Sequence, residues 1–387
     1  MSSPRPLRIA LVAGEHSGDL LGAGLLRGLK ALAPNLVCEG IGGRQMLAQG
    51  LESLYPLERL SVMGLTEVLG RYREINGMRK ALLARYLADP PDVFVGIDAP
   101  DFNLWIEERL RAAGVPTVHY VSPTVWAWRG YRIHQIKRAV AHMLVLFPFE
   151  ADYYAKAGVP ATFVGHPMAA EIDEHVDKSQ ARAALGCDPR ARVVALLPGS
   201  RVRDLRAHAD LFVATAQWLH RRQPALEFVV PLIDAAQAAL FETAIMRAGA
   251  QALPLRRLKG QGRQAMAAAD AVLLKSGTAA HEAMLLGRLM VVTYKTSWLS
   301  QFLIRRFSHV RLYSMPNHLA GRELARELMQ ENATPEKLGA AIEDCLIDSP
   351  QNRETLAVFA RLHRELKRDT NRLAAEAVLA AAKGARA

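Results

Sequence analysis

A chain of 387 residues exceeds the roughly 250–300 at which a single hydrophobic core stops growing, so two domains are expected. With 50% hydrophobic and 22% charged residues the profile is globular, which excludes a disordered, collagenous or disulfide-stapled chain. The 49 Lys and Arg against 38 Asp and Glu leave +11, an excess that suits nucleic acid, anionic lipid or a phosphorylated substrate without choosing among them.

Three cysteines, Cys38, Cys187 and Cys345, are too scattered for a disulfide framework or a zinc site, and they fit a reducing cytoplasm. The first apolar run, Ile9–Gly14, is too short for the core of a signal peptide. No 18 uncharged apolar residues follow one another; even 264–294 is cut by Asp270, Lys275, Glu282 and Arg288, so no membrane-spanning helix is expected.

In chain order, short apolar runs predict strands at Arg8–Ala13, Val93–Ile97, Thr117–Val121, His142–Leu146 and Thr162–Val164, then at Val193–Leu197, Glu227–Pro231, Ala271–Leu274 and Met290–Tyr294. Between them, 3.6-residue periodicity predicts helices such as Leu20–Leu32, Leu104–Ala113, His208–His220 and Ala235–Ala248. Such alternation makes an α/β protein of βαβ units with parallel sheets covered on both faces. The seam falls near Gly165-His166-Pro167-Met168, giving domains 1–168 and 169–345, with 346–387 a helical C-terminal tail.

Five loops carry candidate chemistry. Gly14-Glu15-His16-Ser17-Gly18-Asp19 follows the first strand and opens a helix, whose free N–H groups favour anions and hydroxyls. Ser17 or Asp19 would equally serve there as a helix cap. Asp98, directly after Val93–Ile97, is placed to take a proton from a substrate hydroxyl, whereas Asp101 suits the cap of the next helix. Gly199-Ser200-Arg201 offers backbone N–H groups and a guanidinium fork for a diphosphate, or is a surface turn. Ser276-Gly277-Thr278-Ala279 turns into a helix on which Glu282 follows Thr278 by four residues, an arrangement that suits a phosphate and ribose hydroxyls, or ordinary capping. The aromatic loop His119–Arg129, with Trp126 and Trp128, lines a sugar or lipid site or packs under a domain interface.

No metal is demanded, because no two His flank a Glu at helical spacing; His208 and His220 read as solvated or capping. Leu60–Leu87 interleaves Val62, Met63, Leu65, Val68, Leu69 and Tyr72 with Arg71, Arg73, Arg79 and Lys80, a pattern that either docks on an anionic membrane or packs on its own domain. Trp298–Arg311 is a second stretch of this kind.

Taken together, Gly14–Asp19, Val93–Asn103, His119–Trp128, Gly165-His166-Pro167, Leu196–Arg201, Ser276–Glu282 and Ser314–Arg322 resemble the lipid-A-disaccharide synthases, a family of bacterial GT-B-type glycosyltransferases. The resemblance spans most of the chain in order. It implies two Rossmann-like domains facing a cleft, with the C-terminal helices passing back to the first domain. The first would hold 2,3-diacylglucosamine 1-phosphate, and the second UDP-2,3-diacylglucosamine. An inverting transfer to the acceptor 6-hydroxyl would release UDP without a cofactor. Asp98 would be the general base with Glu15 nearby. Ser17, Gly18, Ser200, Arg201, Ser276, Gly277, Thr278, Ala279, Glu282, Asn317 and Arg322 would bind substrate. Asp204 stands where the family often has Glu, and Ala169 and Ala170 stand where Asp is common.

The acylated substrates favour the docking reading of residues 60–87, hence a cytoplasmic enzyme held peripherally on the inner membrane. Family members also form homodimers. A UDP-sugar epimerase of the same two-domain build is the nearest alternative. A non-enzymatic nucleic-acid-binding protein would explain +11, yet no RNP-type, zinc-finger or helix-turn-helix signal supports it, so no nucleic acid is expected.

Overall fold

Seven short segments, each flanked by helices, pair into the first sheet: β1 (Leu7–Ala13), β2 (Leu36–Gly42), β3 (Glu52–Pro56), β4 (Val93–Ile97), β5 (Thr117–Tyr120), β6 (His142–Val145) and β7 (Ala161–Phe163). Six more form the second: β8 (Arg192–Leu197), β9 (Leu226–Leu232), β10 (Leu255–Lys259), β11 (Ala271–Lys275), β12 (Leu289–Tyr294) and β13 (Arg326–Met329). This computed structural model describes residues 5–60, 65–127, 130–296 and 312–384, without the side chains of 65–70.

The strand orders are β3-β2-β1-β4-β5-β6-β7 and β10-β9-β8-β11-β12-β13, and every pairing is parallel. Each sheet therefore reverses its winding once, between β1 and β4 and between β8 and β11, the Rossmann pattern whose ligand crevice lies beyond the carboxyl ends at that point. All five residues of β4 are buried, as are Val193–Leu196 of β8, because helices cover both faces.

The chain divides into two compact units, Met1–Ala170 with Leu366–Ala387, and Glu171–Glu365. The helix Thr370–Gly384 belongs to the first, where Ala374, Ala375, Val378 and Ala382 join a core with Leu25, Leu29, Val93 and Val95. Residues 346–365 belong to the second unit, whose core is built on Leu196, Phe212, Phe228, Leu273 and Val291.

Four strands go beyond the sequence expectation. β3, β10 and β13 are sheet edges, and β10, Leu-Arg-Arg-Leu-Lys, exposes three cations as edge strands do to resist pairing with other chains. β2 is interior but carries two glycines and Glu39, which is held by the Arg85 guanidinium at 2.7 Å and 3.2 Å.

The helix Leu65–Ala88 buries Met78, Leu82 and Tyr86, four apart, and Tyr86 meets Phe94 edge-on. Its latter half therefore packs on its own unit, while Tyr72 is 57% exposed. Val62 and Met63, the side chains of Leu65, Val68 and Leu69, and the stretch Trp298–Arg311 lie outside the described residues. Among the described residues no helix is long and apolar enough to cross a membrane.

Candidate active site

In the first unit Ala13 pairs with Ile97, so the chain leaves β1 at Gly14 and β4 at Asp98 side by side at the winding reversal. The approach is tight: any side chain at Gly14 would overlap the Ala99 methyl. Asp98 and Ala99 hold φ of 54° and 43°, a left-handed conformation that non-glycine residues rarely adopt. At the end of neighbouring β5, Val121 (83°) and Thr124 (36°) do the same. Strain gathered on one sheet edge persists only where the surroundings enforce it, and such places are characteristically functional.

Asn103 supplies part of that enforcement. Fully buried, it donates through Nδ2 to the carbonyl oxygens of Val12 (3.1 Å) and Asp98 (2.9 Å), tying the ends of β1 and β4 together. The Asp98 N–H donates to the Tyr120 carbonyl at 2.8 Å. Beneath, Glu107 and His119 form a fully buried pair (2.8 Å) against the Gly96 backbone; burial pushes the Glu107 carboxyl upward, and the imidazole opposes it.

The helix after β1 is His16–Leu32, so Glu15 occupies its cap position and Ser17 its first turn, both exposed, with Gly18 buried against Ala13 and Ile97. Neither Ser17 nor Asp19 caps this helix. Asp19, 1% exposed, instead accepts the N–H groups of Gly43 (2.8 Å), Gln45 (3.0 Å) and Met46 (3.0 Å), and so caps Arg44–Ala48 across the unit. Asp101 is not a cap either: Ala99 holds that position of Pro100–Ala112, and the Asp101 carboxylate pairs with Arg132.

The aromatic loop packs within the fold. Trp126 meets Phe149 edge-on at 4.9 Å and donates its indole N–H to Glu150 (3.2 Å), which also accepts the Phe147 N–H. Burial raises the Glu150 carboxyl to about 7 and lowers His166, beside Phe147, to about 4. Trp128 lies outside the described residues.

In the second unit the Gly199–Arg201 and Ser276–Thr278 loops leave adjacent β8 and β11 at the corresponding reversal. Gly199, at φ 131°, turns the chain where a side chain would strike Asp204. Ser200 and Arg201 are exposed ahead of the helix Val202–Arg222. Gln237, which the sequence did not single out, braces this loop by donating to the Ser200 carbonyl at 2.7 Å. Lys275 pairs with Asp204 at 3.3 Å on the same edge.

Ser276 and Gly277 lead into the helix Thr278–Leu285, whose first residues Thr278 and Ala279 stay accessible. Glu282 accepts Arg263 Nε at 2.6 Å, a second partner invisible in the motif. His208 is not solvated: at 1% exposure its Nδ1–H donates to the Asp204 carbonyl (2.7 Å) and its Nε2 accepts the Lys295 N–H (2.9 Å).

Asn317 and Arg322 are engaged by partners other than these loops. Asn317 is fully buried with every amide group engaged, by Ala325 and Glu327 on the donor side and the N–H groups of Leu324 and Ala325 on the acceptor side. It organises its own turn and has nothing left for a ligand. Arg322 pairs with Glu354 and precedes the start of β13 by four residues, which puts it at the amino edge of the parallel sheet, opposite to Ser200 and Thr278. Among the described residues no three His, Cys, Asp or Glu side chains converge as metal ligands would.

A sequence profile of the family described as lipid-A-disaccharide synthetase matches residues 9–382. The chain is 50% identical to the lipid-A-disaccharide synthase of Alkalilimnicola ehrlichii over 98% of its length and 99% of the relative's. It is 48% identical to that of Pseudomonas aeruginosa (strain UCBPP-PA14), over 96% and 97%. Among solved structures it resembles CalG4, the calicheamicin glycosyltransferase, with a TM-score of 0.60 at 15% identity over 98% of this chain and 99% of that one. It equally resembles the UDP-GlcNAc 2-epimerase of Neisseria meningitidis, with 0.61 at 12% identity over 97% and 99%. Those two likenesses establish the two-domain Rossmann-like GT-B fold and leave the reaction open, whereas identity near one half along the whole length does not: the chain belongs to the lipid-A-disaccharide synthase family.

Proposed function

We propose that the protein transfers the sugar of UDP-2,3-diacylglucosamine to the 6-hydroxyl of 2,3-diacylglucosamine 1-phosphate, giving the β-1,6-linked disaccharide 1-phosphate and UDP. Asp98 takes the hydroxyl proton as O6 attacks the donor's anomeric carbon from the face opposite the nucleotide. The new C–O bond forms as the bond to the diphosphate breaks, so the configuration inverts and the electron pair leaves on UDP. Arg201 and the N–H groups around Ser200 and Thr278 receive that negative charge, which they stabilise without reorganising. Glu282 is the ribose partner on this reading, with Arg263 fixing its carboxylate.

The observation that carries the reading is Asp98: a half-exposed carboxylate locked in a strained turn at the winding reversal of its sheet, in a chain whose relatives bear this synthase's name. The test is purified protein with both substrates, scoring disaccharide and UDP. Consumption of the UDP-sugar without acceptor would favour the epimerase instead.

Both substrates carry acyl chains, so access to a membrane surface is part of the proposal. The helix Leu65–Ala88 turns Tyr72, Arg73, Lys80 and Leu87 outward, and the net charge of +11 favours an anionic leaflet such as the cytoplasmic face of the inner membrane.

A further inference from the structure

Trp105 stands in the second turn of the helix Pro100–Ala112 with two guanidinium groups against its ring. Arg79, from the helix Leu65–Ala88, lies 4.2 Å from the ring centroid, and Arg109 lies 3.7 Å from it. Among the described residues neither has a carboxylate partner. Arg79 donates to the Asn76 side-chain oxygen (2.8 Å) and to the Asp101 carbonyl (3.4 Å), while its Nε is buried with no acceptor. Arg109 donates to the Trp105 carbonyl at 2.9 Å. Burial lowers the Arg79 pKa, and Arg109 adds to the effect, against a raising influence from Tyr72. Arg132 brings a third cation to the first turn of the same helix through Asp101.

Among the described residues, two like charges without a carboxylate and an orphaned buried donor lie together, a set that an anion would complete. Their position says which anion. Asp101, whose carbonyl Arg79 reaches, stands in the first turn of the helix Pro100–Ala112 and follows Asp98 by three residues. A hexose whose 6-hydroxyl sits at Asp98 directs its C1 substituent across the ring, away from the reacting oxygen. Guanidinium forks match the oxygens of a phosphate.

We propose that Arg79 and Arg109 form the subsite for the C1 phosphomonoester of the acceptor sugar. This rests on the transferase reading above and assigns the acceptor's charge to named groups. A phospholipid headgroup offers the same phosphate chemistry, but Arg79 reaches the turn that follows the candidate general base, which favours the acceptor.

The test uses full-length Arg79→Gln and Arg109→Gln in detergent, with 2,3-diacylglucosamine 1-phosphate and, separately, 2,3-diacylglucosamine lacking the phosphate. Each variant should raise KM for the phosphorylated acceptor about tenfold, in line with loss of one charge-assisted hydrogen bond. The donor KM should hold, and the preference for the phosphorylated acceptor should shrink by the same factor. An unchanged preference, or an equal rise for both acceptors, overturns the proposal. So does loss of sedimentation with phosphatidylglycerol vesicles at unaltered acceptor KM, which would assign the cluster to lipid headgroups. Because Arg109 is exposed, its variant reads the subsite even if Arg79→Gln unfolds. Wild-type protein that forms no disaccharide would instead sink the transferase reading itself.

Discussion

The side-chain amide of Asn103 donates to the Asp98 carbonyl at 2.9 Å from a site with no solvent exposure, and thereby fixes the backbone of the candidate general base from beneath. The same nitrogen reaches Val12 of β1, so one residue holds both sides of the winding reversal. Asn103→Ala should leave two carbonyl oxygens without this donor and destabilise the protein by about 1–3 kcal/mol. Turnover should fall further than stability accounts for, with donor KM unchanged. Denaturant unfolding alongside steady-state kinetics checks both; normal turnover in the folded variant would show that the turn needs no such support.

Asp98→Ala should reduce turnover by ~10²–10⁴-fold, the usual range for removing a general base. UDP affinity should change little, because the nucleotide is assigned to the second unit. Unaltered turnover would remove Asp98 from the role.

Arg201→Ala should weaken UDP binding by about 1.5–3 kcal/mol, the value of a hydrogen bond to a charged group. Gln237→Ala acts through the loop, since it removes only the brace on the Ser200 carbonyl, and should cost about 1 kcal/mol. Equilibrium titration with UDP separates the two, and full affinity in Arg201→Ala would contradict the assignment.

Glu150 links pH to stability. Burial raises its carboxyl to about 7, so the fold favours the protonated form. The unfolded chain titrates near ~4.3, so this contribution is complete below that pH, declines as pH rises toward about 7, and is absent above it. Glu150→Gln should flatten that part of the profile, which is on the order of a few kcal/mol. His166, lowered to about 4 by burial, acts in the opposite sense: its contribution is present above ~6.5 and lost as pH falls through about 4. Unfolding free energies measured from pH 4 to 8 would show whether the Glu150 variant loses its slope.

Membrane attachment should depend on the outward face of the helix Leu65–Ala88. Replacing Arg73 and Lys80 by Glu should weaken binding to anionic vesicles, at about 1 kcal/mol for each cation removed. Raising the salt should weaken wild-type binding similarly if charge dominates. Vesicle binding unaffected by either change would move the docking face elsewhere.

Strands covered on both faces announced themselves. Val93–Ile97 is an unbroken apolar run, and the structure bounds it at the same residues. β10 and β13 hid because edge strands present one side to water and carry charge there. Loop motifs were equally legible, since Gly14 and Gly199 stand where close approach or a left-handed turn excludes a side chain. For Asn317 and Arg322 the motif records which residues occur together but not their partners, Glu327 and the Leu324 and Ala325 backbone for one and Glu354 for the other.

Local order along the chain thus determined the alternation of strand and helix, the loops that follow β1, β4, β8 and β11, and the carboxylate at position 98. Packing between distant segments decided the rest. Asp19 caps residues 44–46, Gln237 braces Ser200, Arg263 holds Glu282, and Arg79 meets Trp105. Each of these depends on a partner brought close by the winding of a sheet and the burial that drives it. Spacing in sequence carries information about neighbours on one element, whereas hydrogen bonds and charges respond only to distance in space.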